Sequence, residues 1–133
     1  MVDKSTLRLF FTLVAEKKLH IRQGDVVTAY LNAPMTDEVY IKLPIICGDP
    51  TQSVRRLLKA IYGHPKAGQL WNDKFVSFMI SMGFLQCSRD PCFFYNLSTN
   101  FFLVLYVDDL LAAAGTEKEL KKFWISLSNA FKL

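Results

Sequence analysis

Cysteine is scarce in this chain of 133 residues, and its three copies, Cys47, Cys87 and Cys92, form no Cys-x-x-Cys pair. An odd number at such spacing argues against a disulfide framework and a zinc knuckle, and it fits a reduced, intracellular setting. Cys87 and Cys92 could join His20 or His64 around zinc, but buried thiols account for both without a metal. A long apolar run is also missing. The longest one is too short to span a bilayer and carries Asp108 and Asp109 inside it, so no membrane segment is expected. Repeats and low-complexity linkers are absent, and no signal peptide opens the chain. The sequon Asn96-Leu97-Ser98 is therefore expected to mark a hairpin turn. Charge of one sign is weak too. The formal net charge of +4 is compatible with a polyanionic partner without requiring one, and the basic groups Lys17-Lys18, Arg55-Arg56-Lys59 and Lys121-Lys122 are scattered.

Apolar and aromatic residues are what the chain has in quantity, 51% and 14% of it, enough for one compact core and one globular unit. Ser5 is placed to cap a helix carrying Leu7, Phe10, Phe11 and Val14 and ending near Glu16-Lys17-Lys18. A strand through Asp25 should follow, then a turn from Tyr30 to Pro34 and a short strand from Glu38 to Leu43 that Pro44 ends. Ile45 to Ser53 reads as a loop, Leu57 to Ile61 suits strand or helix, and Gly63 to Gly68 breaks the pattern. Trp71, Phe75, Phe78, Met79 and Met82 make the stripe of a second helix that Gly83 is placed to end. Phe93 to Tyr95 and Phe101 to Val107 suggest a hairpin joined by Asn96 to Asn100, with a strand from Leu110 to Ala114 after it. Thr116 and Glu119 form a capping box for a last helix carrying Leu120, Phe123, Trp124, Leu127 and Phe131. Helices alternating with hairpins, without a regular strand–helix–strand rhythm, indicate an α+β fold: an antiparallel sheet backed by helices.

Within this pattern one stretch is chemically unusual. The run Phe101 to Ala114 reads as two buried strands whose acidic turn holds Asp108 and Asp109. Adjacent anions at the edge of an apolar core repel each other and lose hydration, so they need protonation, a basic partner or a metal ion. Magnesium suits bare carboxylate oxygens best. Asp25 is a third candidate carboxylate, and Gly24 before it lets another backbone or a ligand come close.

Tyr106-Val107-Asp108-Asp109, preceded by Asp25-Val26-Val27-Thr28-Ala29-Tyr30-Leu31-Asn32, resembles reverse transcriptases of the Ty1/copia class of retrotransposons. The likeness extends to Val39-Tyr40-Ile41-Lys42-Leu43-Pro44, Leu57-Leu58-Lys59-Ala60-Ile61-Tyr62-Gly63, Trp71 and Asp90-Pro91-Cys92-Phe93-Phe94, in the family's order along nearly the whole chain. The resemblance implies a palm of the polymerase type with part of the fingers over residues 1–133, with thumb and RNase H segments lying outside. It implies an RNA-directed DNA polymerase segment of a Pol polyprotein that acts with two Mg²⁺ ions, Mn²⁺ being able to replace them. Asp25 and Asp108 become the principal metal ligands, facing each other across adjacent strands, with Asp109 at the edge of the site. Tyr106 completes the motif. Tyr30 would lie under the incoming sugar and exclude ribonucleotides, and the backbone N–H groups of Val26, Val27, Thr28 and Ala29 would hold triphosphate oxygens if they enter a helical turn. Lys66 stands where relatives often carry Gln. It can contact phosphate as a point charge but lacks the paired donor and acceptor of an amide. The implied partners are an RNA or DNA template, a primer, deoxynucleoside triphosphates and the remaining Pol segments, integrase included. The implied setting is cytoplasmic, in a virus-like particle of the parent element.

Two other readings stay open. A decayed or domesticated fragment could bind nucleic acid without catalysis. A nucleotide hydrolase is suggested by Gly63-x-x-x-x-Gly68 upstream of an acidic strand end, although Gln69 and Leu70 replace the Lys and Ser/Thr that a P-loop needs.

Overall fold

The computed structural model describes residues 2–44 and 54–133. The loop expected from Ile45 to Ser53, with Cys47, lies outside the described residues. Two compact units are present, one of residues 1–29 and 75–133, the other of residues 30–74.

The first unit is built on a five-stranded antiparallel sheet. Its strands are β1 (His20–Asp25), β4 (Leu85–Gln86), β5 (Phe93–Asn96), β6 (Phe101–Tyr106) and β7 (Asp109–Ala114), in the spatial order β1-β7-β6-β5-β4. β6 and β7 are central, and they are the apolar run of the sequence; Phe101 to Leu105 are all buried. Strand side chains alternate between faces. The register therefore puts Phe93, Phe102, Val104, Leu111 and Ala113 on one face, where helix α1 (Lys4–Lys17) inserts Phe10 and Val14. The opposite face carries Phe94, Phe101, Leu103 and Leu110, and helices α2 (Ala67–Ser81) and α3 (Glu117–Ala130) supply aromatic partners to it. Phe75 meets Phe94 at 5.7 Å between ring centroids, and Phe123 meets Phe101 at 5.1 Å. Each such side chain contributes about 1.5–3 kcal/mol through the apolar surface it removes from water.

Local chemistry accounts for the helix ends. Asp3, not Ser5, caps α1: its carboxylate accepts from the Ser5 N–H at 3.1 Å, so the start lies earlier than the hydroxyl suggested. The capping box of α3 forms as expected between Thr116 and Glu119. Gly83 follows α2 with φ +82°, a left-handed conformation suited to glycine, and its N–H donates to the Ile80 carbonyl.

In the second unit, strands β2 (Tyr40–Lys42) and β3 (Val54–Arg56) pair antiparallel. β2 is shorter than the expected Glu38–Leu43. Leu57 to Ile61 forms neither helix nor named strand; it holds one isolated bridge, Lys59 to Pro34. A 3₁₀ turn spans Ala29–Asn32. Among the described residues no helix is long and apolar enough to cross a membrane.

Candidate active site

The acidic turn differs from the expected one. It consists of Val107 and Asp108, while Asp109 is already the first residue of β7 and the Cα partner of Tyr106. Val107 has φ +57°, and Asp108 is not among the positive-φ residues. A positive φ at only the first central position of a two-residue hairpin is the type II′ pattern, which normally uses glycine there. A β-branched side chain in that region costs about 1–2 kcal/mol, so the hairpin tip is strained.

β1 meets this tip directly. Asp25 is the Cα partner of Asp109, and the Val26 N–H donates to the Asp108 carbonyl at 2.8 Å. That bond flanks the Asp25–Asp109 pair, which is therefore of the non-hydrogen-bonded kind, whose side chains stand closest and share a face. The expectation that Asp25 opposes Asp108 is corrected in this respect. Because Asp108 occupies the turn, the strand residue across from Asp25 is Asp109. Tyr106 lies on the same face as Asp109 and is 45% exposed. Asp25 and Asp109 are exposed and Asp108 is half-buried.

Like charges in the closest cross-strand pairing are unfavourable, and a hard cation is the chemistry that relieves them. Among the described residues no three His, Cys, Asp or Glu side chains are gathered into a ready-made cage. Magnesium does not need one, since it is commonly held by one or two carboxylates together with water and substrate phosphates. The donor set at this end of the sheet fits it.

Two of the four amides expected to receive phosphate serve the fold instead. Val26 N–H bonds Asp108, and Val27 N–H donates to the Lys132 carbonyl beyond α3 at 2.8 Å. Thr28 has φ +52° and its hydroxyl donates to the Val27 carbonyl, after which Ala29 opens the 3₁₀ turn. The helical turn thus exists, but it starts after the amides of Val26 and Val27 have been engaged. Gly24 also has an observed neighbour. A Cβ at this position would lie 2.4 Å from Cη2 and 2.5 Å from Cζ3 of Trp124, so what approaches closely is an indole side chain from α3, in place of the backbone or ligand expected.

The other expected site residues belong to the second unit. The Tyr30 ring lies 4.4 Å from that of Tyr62 between centroids, and a Cβ on Gly68 would stand 3.9 Å from the Tyr30 hydroxyl. Lys66 forms an ion pair with Asp37, whose hydrogen bond and positive charge hold the Asp37 carboxyl below its usual range. The P-loop reading finds no support in this fold: the Gly63–Gly68 segment leads into α2, but the principal sheet is antiparallel, whereas P-loop folds use a parallel one. Cys92 is buried, and burial pushes its thiol up, as an inert core cysteine requires.

The family described as Reverse transcriptase (RNA-dependent DNA polymerase) matches residues 1–133. The chain belongs to this reverse transcriptase family. It is 33% identical to the Retrovirus-related Pol polyprotein from transposon TNT 1-94 of Nicotiana tabacum over all of the chain and 10% of that protein. Identity to the Retrovirus-related Pol polyprotein from transposon RE2 of Arabidopsis thaliana is 28%, over all of the chain and 9% of the relative. The Transposon Ty1-BL Gag-Pol polyprotein of Saccharomyces cerevisiae is 31% identical over 83% of the chain and 6% of the relative. The chain thus spans a tenth or less of these relatives. The Ty1/copia-type resemblance stated from the motif blocks agrees with them, and every block lies inside the matched reverse transcriptase segment.

Sequence reasoning missed the strained Val107, the bond from Val26 to Asp108 and the indole under Gly24. Only the last had a visible signal, a glycine directly before a candidate ligand.

Proposed function

We propose that the chain is the palm, with part of the fingers, of an RNA-directed DNA polymerase belonging to a retrotransposon Pol polyprotein. The observation that carries this reading is the register that pairs Asp25 with Asp109 and bonds Val26 to Asp108, which brings together residues far apart in the chain at one end of the sheet. Asp25, Asp108 and Asp109 would hold divalent magnesium. When bound, two such ions lower the pKa of an attacking hydroxyl and neutralise charge on the leaving oxygens. The protein's own part is to present acceptor oxygens at a fixed strand end, to keep that end rigid through the Val26 bond, and to leave Tyr106 exposed beside it. Tyr30 excludes ribonucleotides in this reading, and Lys66 meets phosphate when it leaves Asp37. Template, primer, deoxynucleoside triphosphates and the neighbouring Pol segments are the partners. A cytoplasmic setting accompanies them in this reading.

Positioning of primer and nucleotide supplies roughly 7–11 kcal/mol of barrier lowering in reactions of this type. The isolated chain should therefore extend a primer poorly. Joined to fingers and thumb segments of a related Pol polyprotein, it should carry out magnesium-, primer- and template-dependent DNA synthesis that Asp108→Asn reduces to background. Synthesis that survives Asp108→Asn would overturn the proposal.

A further inference from the structure

Trp124 is almost fully buried, at 6% exposure, yet among the described residues its indole Nε1–H has no hydrogen-bond partner. A sealed, unsatisfied donor is destabilising, and such a group in a folded protein calls for an explanation. Leucine or phenylalanine would fill a core position on α3 without that cost. What the indole adds is reach: its far ring edge lies where a Cβ of Gly24 would be, and its face carries the Arg22 guanidinium, with Cζ 5.4 Å from the ring centroid. Arg22 and Gly24 lie on one face of β1, and Asp25 follows on the other. The ring therefore touches the strand at the last residue before the candidate ligand.

We propose that Trp124 positions Asp25 through Gly24: the indole rests on the bare Cα of Gly24 and sets the height of the β1 end against the β6–β7 hairpin. This rests on the polymerase reading for its purpose, though not for its geometry. A side chain at position 24 would strike the ring. The ring is almost fully buried, and moving it would disturb its packing on α3, so β1 would move instead. Displacement of β1 strains the Val26 N–H bond to Asp108 and separates Asp25 from Asp109. Trp124 and Gly24 are positioning residues, and Asp25 is the group they serve.

The test uses the isotope-labelled chain with two readouts, hydrogen exchange at the Val26 amide and paramagnetic line broadening by Mn²⁺. Gly24→Ala is expected to speed Val26 exchange about tenfold and to weaken Mn²⁺ binding by a similar factor, the size of coupling expected between groups in contact. Exchange at Phe102, in the sheet interior, should stay within about twofold, so a general loss of stability is separable from local displacement. Gly24→Ala combined with Trp124→Leu removes the ring atoms that the new methyl would strike, and should restore Val26 protection and Mn²⁺ affinity. If Gly24→Ala does not fold, the double variant decides in the same way. Normal Val26 protection in folded Gly24→Ala, or a folded double variant that recovers neither readout, would overturn the proposal. Absence of Mn²⁺ binding in the unaltered chain would count against the polymerase reading, and Val26 exchange would still decide the positioning claim.

Discussion

The two ends of the five-stranded sheet are held by different means. At the end bearing the β5–β6 turn, the bonds span short stretches of sequence: Asn96 Oδ1 accepts from Ser98 N–H at 3.1 Å and from Ser98 Oγ, Asn96 Nδ2 donates to the Gly83 carbonyl of the neighbouring turn at 3.1 Å, and Thr116 and Glu119 cap α3 reciprocally. A left-handed Asn100, φ +50°, completes that turn with a residue type that tolerates it. At the end bearing Asp25, Asp108 and Asp109 the bonds join distant segments. Val26 is tied to Asp108, Val27 to Lys132, and Asp3 N–H donates to Asp90 Oδ2 at 3.0 Å, which fixes the start of α1 to the β4–β5 connection. The turn there places valine where glycine belongs. One end is built from turn chemistry, the other from tertiary ties that hold a strained tip in place, and the candidate ligands lie at the second.

Asp90 should show the largest effect on stability. The residue is 7% exposed, and its carboxylate accepts from the amides of Asp3 and Cys92. Burial pushes its pKa up, but the hydrogen bonds from Thr6, Asp3 and Cys92 outweigh burial and leave it lowered. Asp90→Ala is expected to cost about 1–3 kcal/mol in denaturant unfolding, since it leaves the buried Cys92 amide and the part-buried Asp3 amide without this acceptor. The pH dependence follows from the sign of the shift. A carboxyl lowered on folding contributes stability above its unfolded value, near 3.9, and that contribution disappears as pH falls through the folded value. The difference in stability between the wild-type chain and Asp90→Asn should therefore narrow in acid below about pH 4. A gap that widens in acid would break the account of this end.

Asn96→Ala probes the other end and should cost about 1 kcal/mol, the loss of one exposed amide's bonds to Ser98 and Gly83. Val26 exchange should be unchanged. If Asn96→Ala costs more than Asp90→Ala, or if it loosens Val26, the contrast between local and long-range ends fails.

This contrast also explains what could be read in the sequence. The Asn96–Asn100 turn, the Thr116–Glu119 box, the Gly83 stop and the apolar stripes of α2 and α3 follow from residues within a few positions of one another, and each appears where local rules put it. The antiparallel sheet with helices followed from the same periodicities. The functional end was legible only in its residue types. Asp25 was recognisable by motif, but its pairing with Asp109 instead of Asp108 depends on which residues form a turn, and that hinged on Val107 adopting φ +57° against its own preference. The ties from Val26 and Val27 join segments that no window of neighbouring residues contains, so amides expected to meet phosphate proved to meet backbone.

Val107→Gly gives the smallest expected change in stability and tests the comparison most sharply. Glycine removes the steric cost of the left-handed conformation, about 1–2 kcal/mol, but it adds unfolded-state freedom worth roughly 0.5–1 kcal/mol. The net expectation is a gain between zero and about 1.5 kcal/mol. The hairpin tip, however, would no longer be limited to one conformation by its side chain. Amide exchange at Asp108 should therefore quicken relative to Phe102 even as the global unfolding midpoint holds or rises. A global loss of more than about 1 kcal/mol would mean that the valine side chain contributes packing that outweighs its strain, and that the tip resembles the relaxed Asn96–Asn100 turn more than the comparison allows.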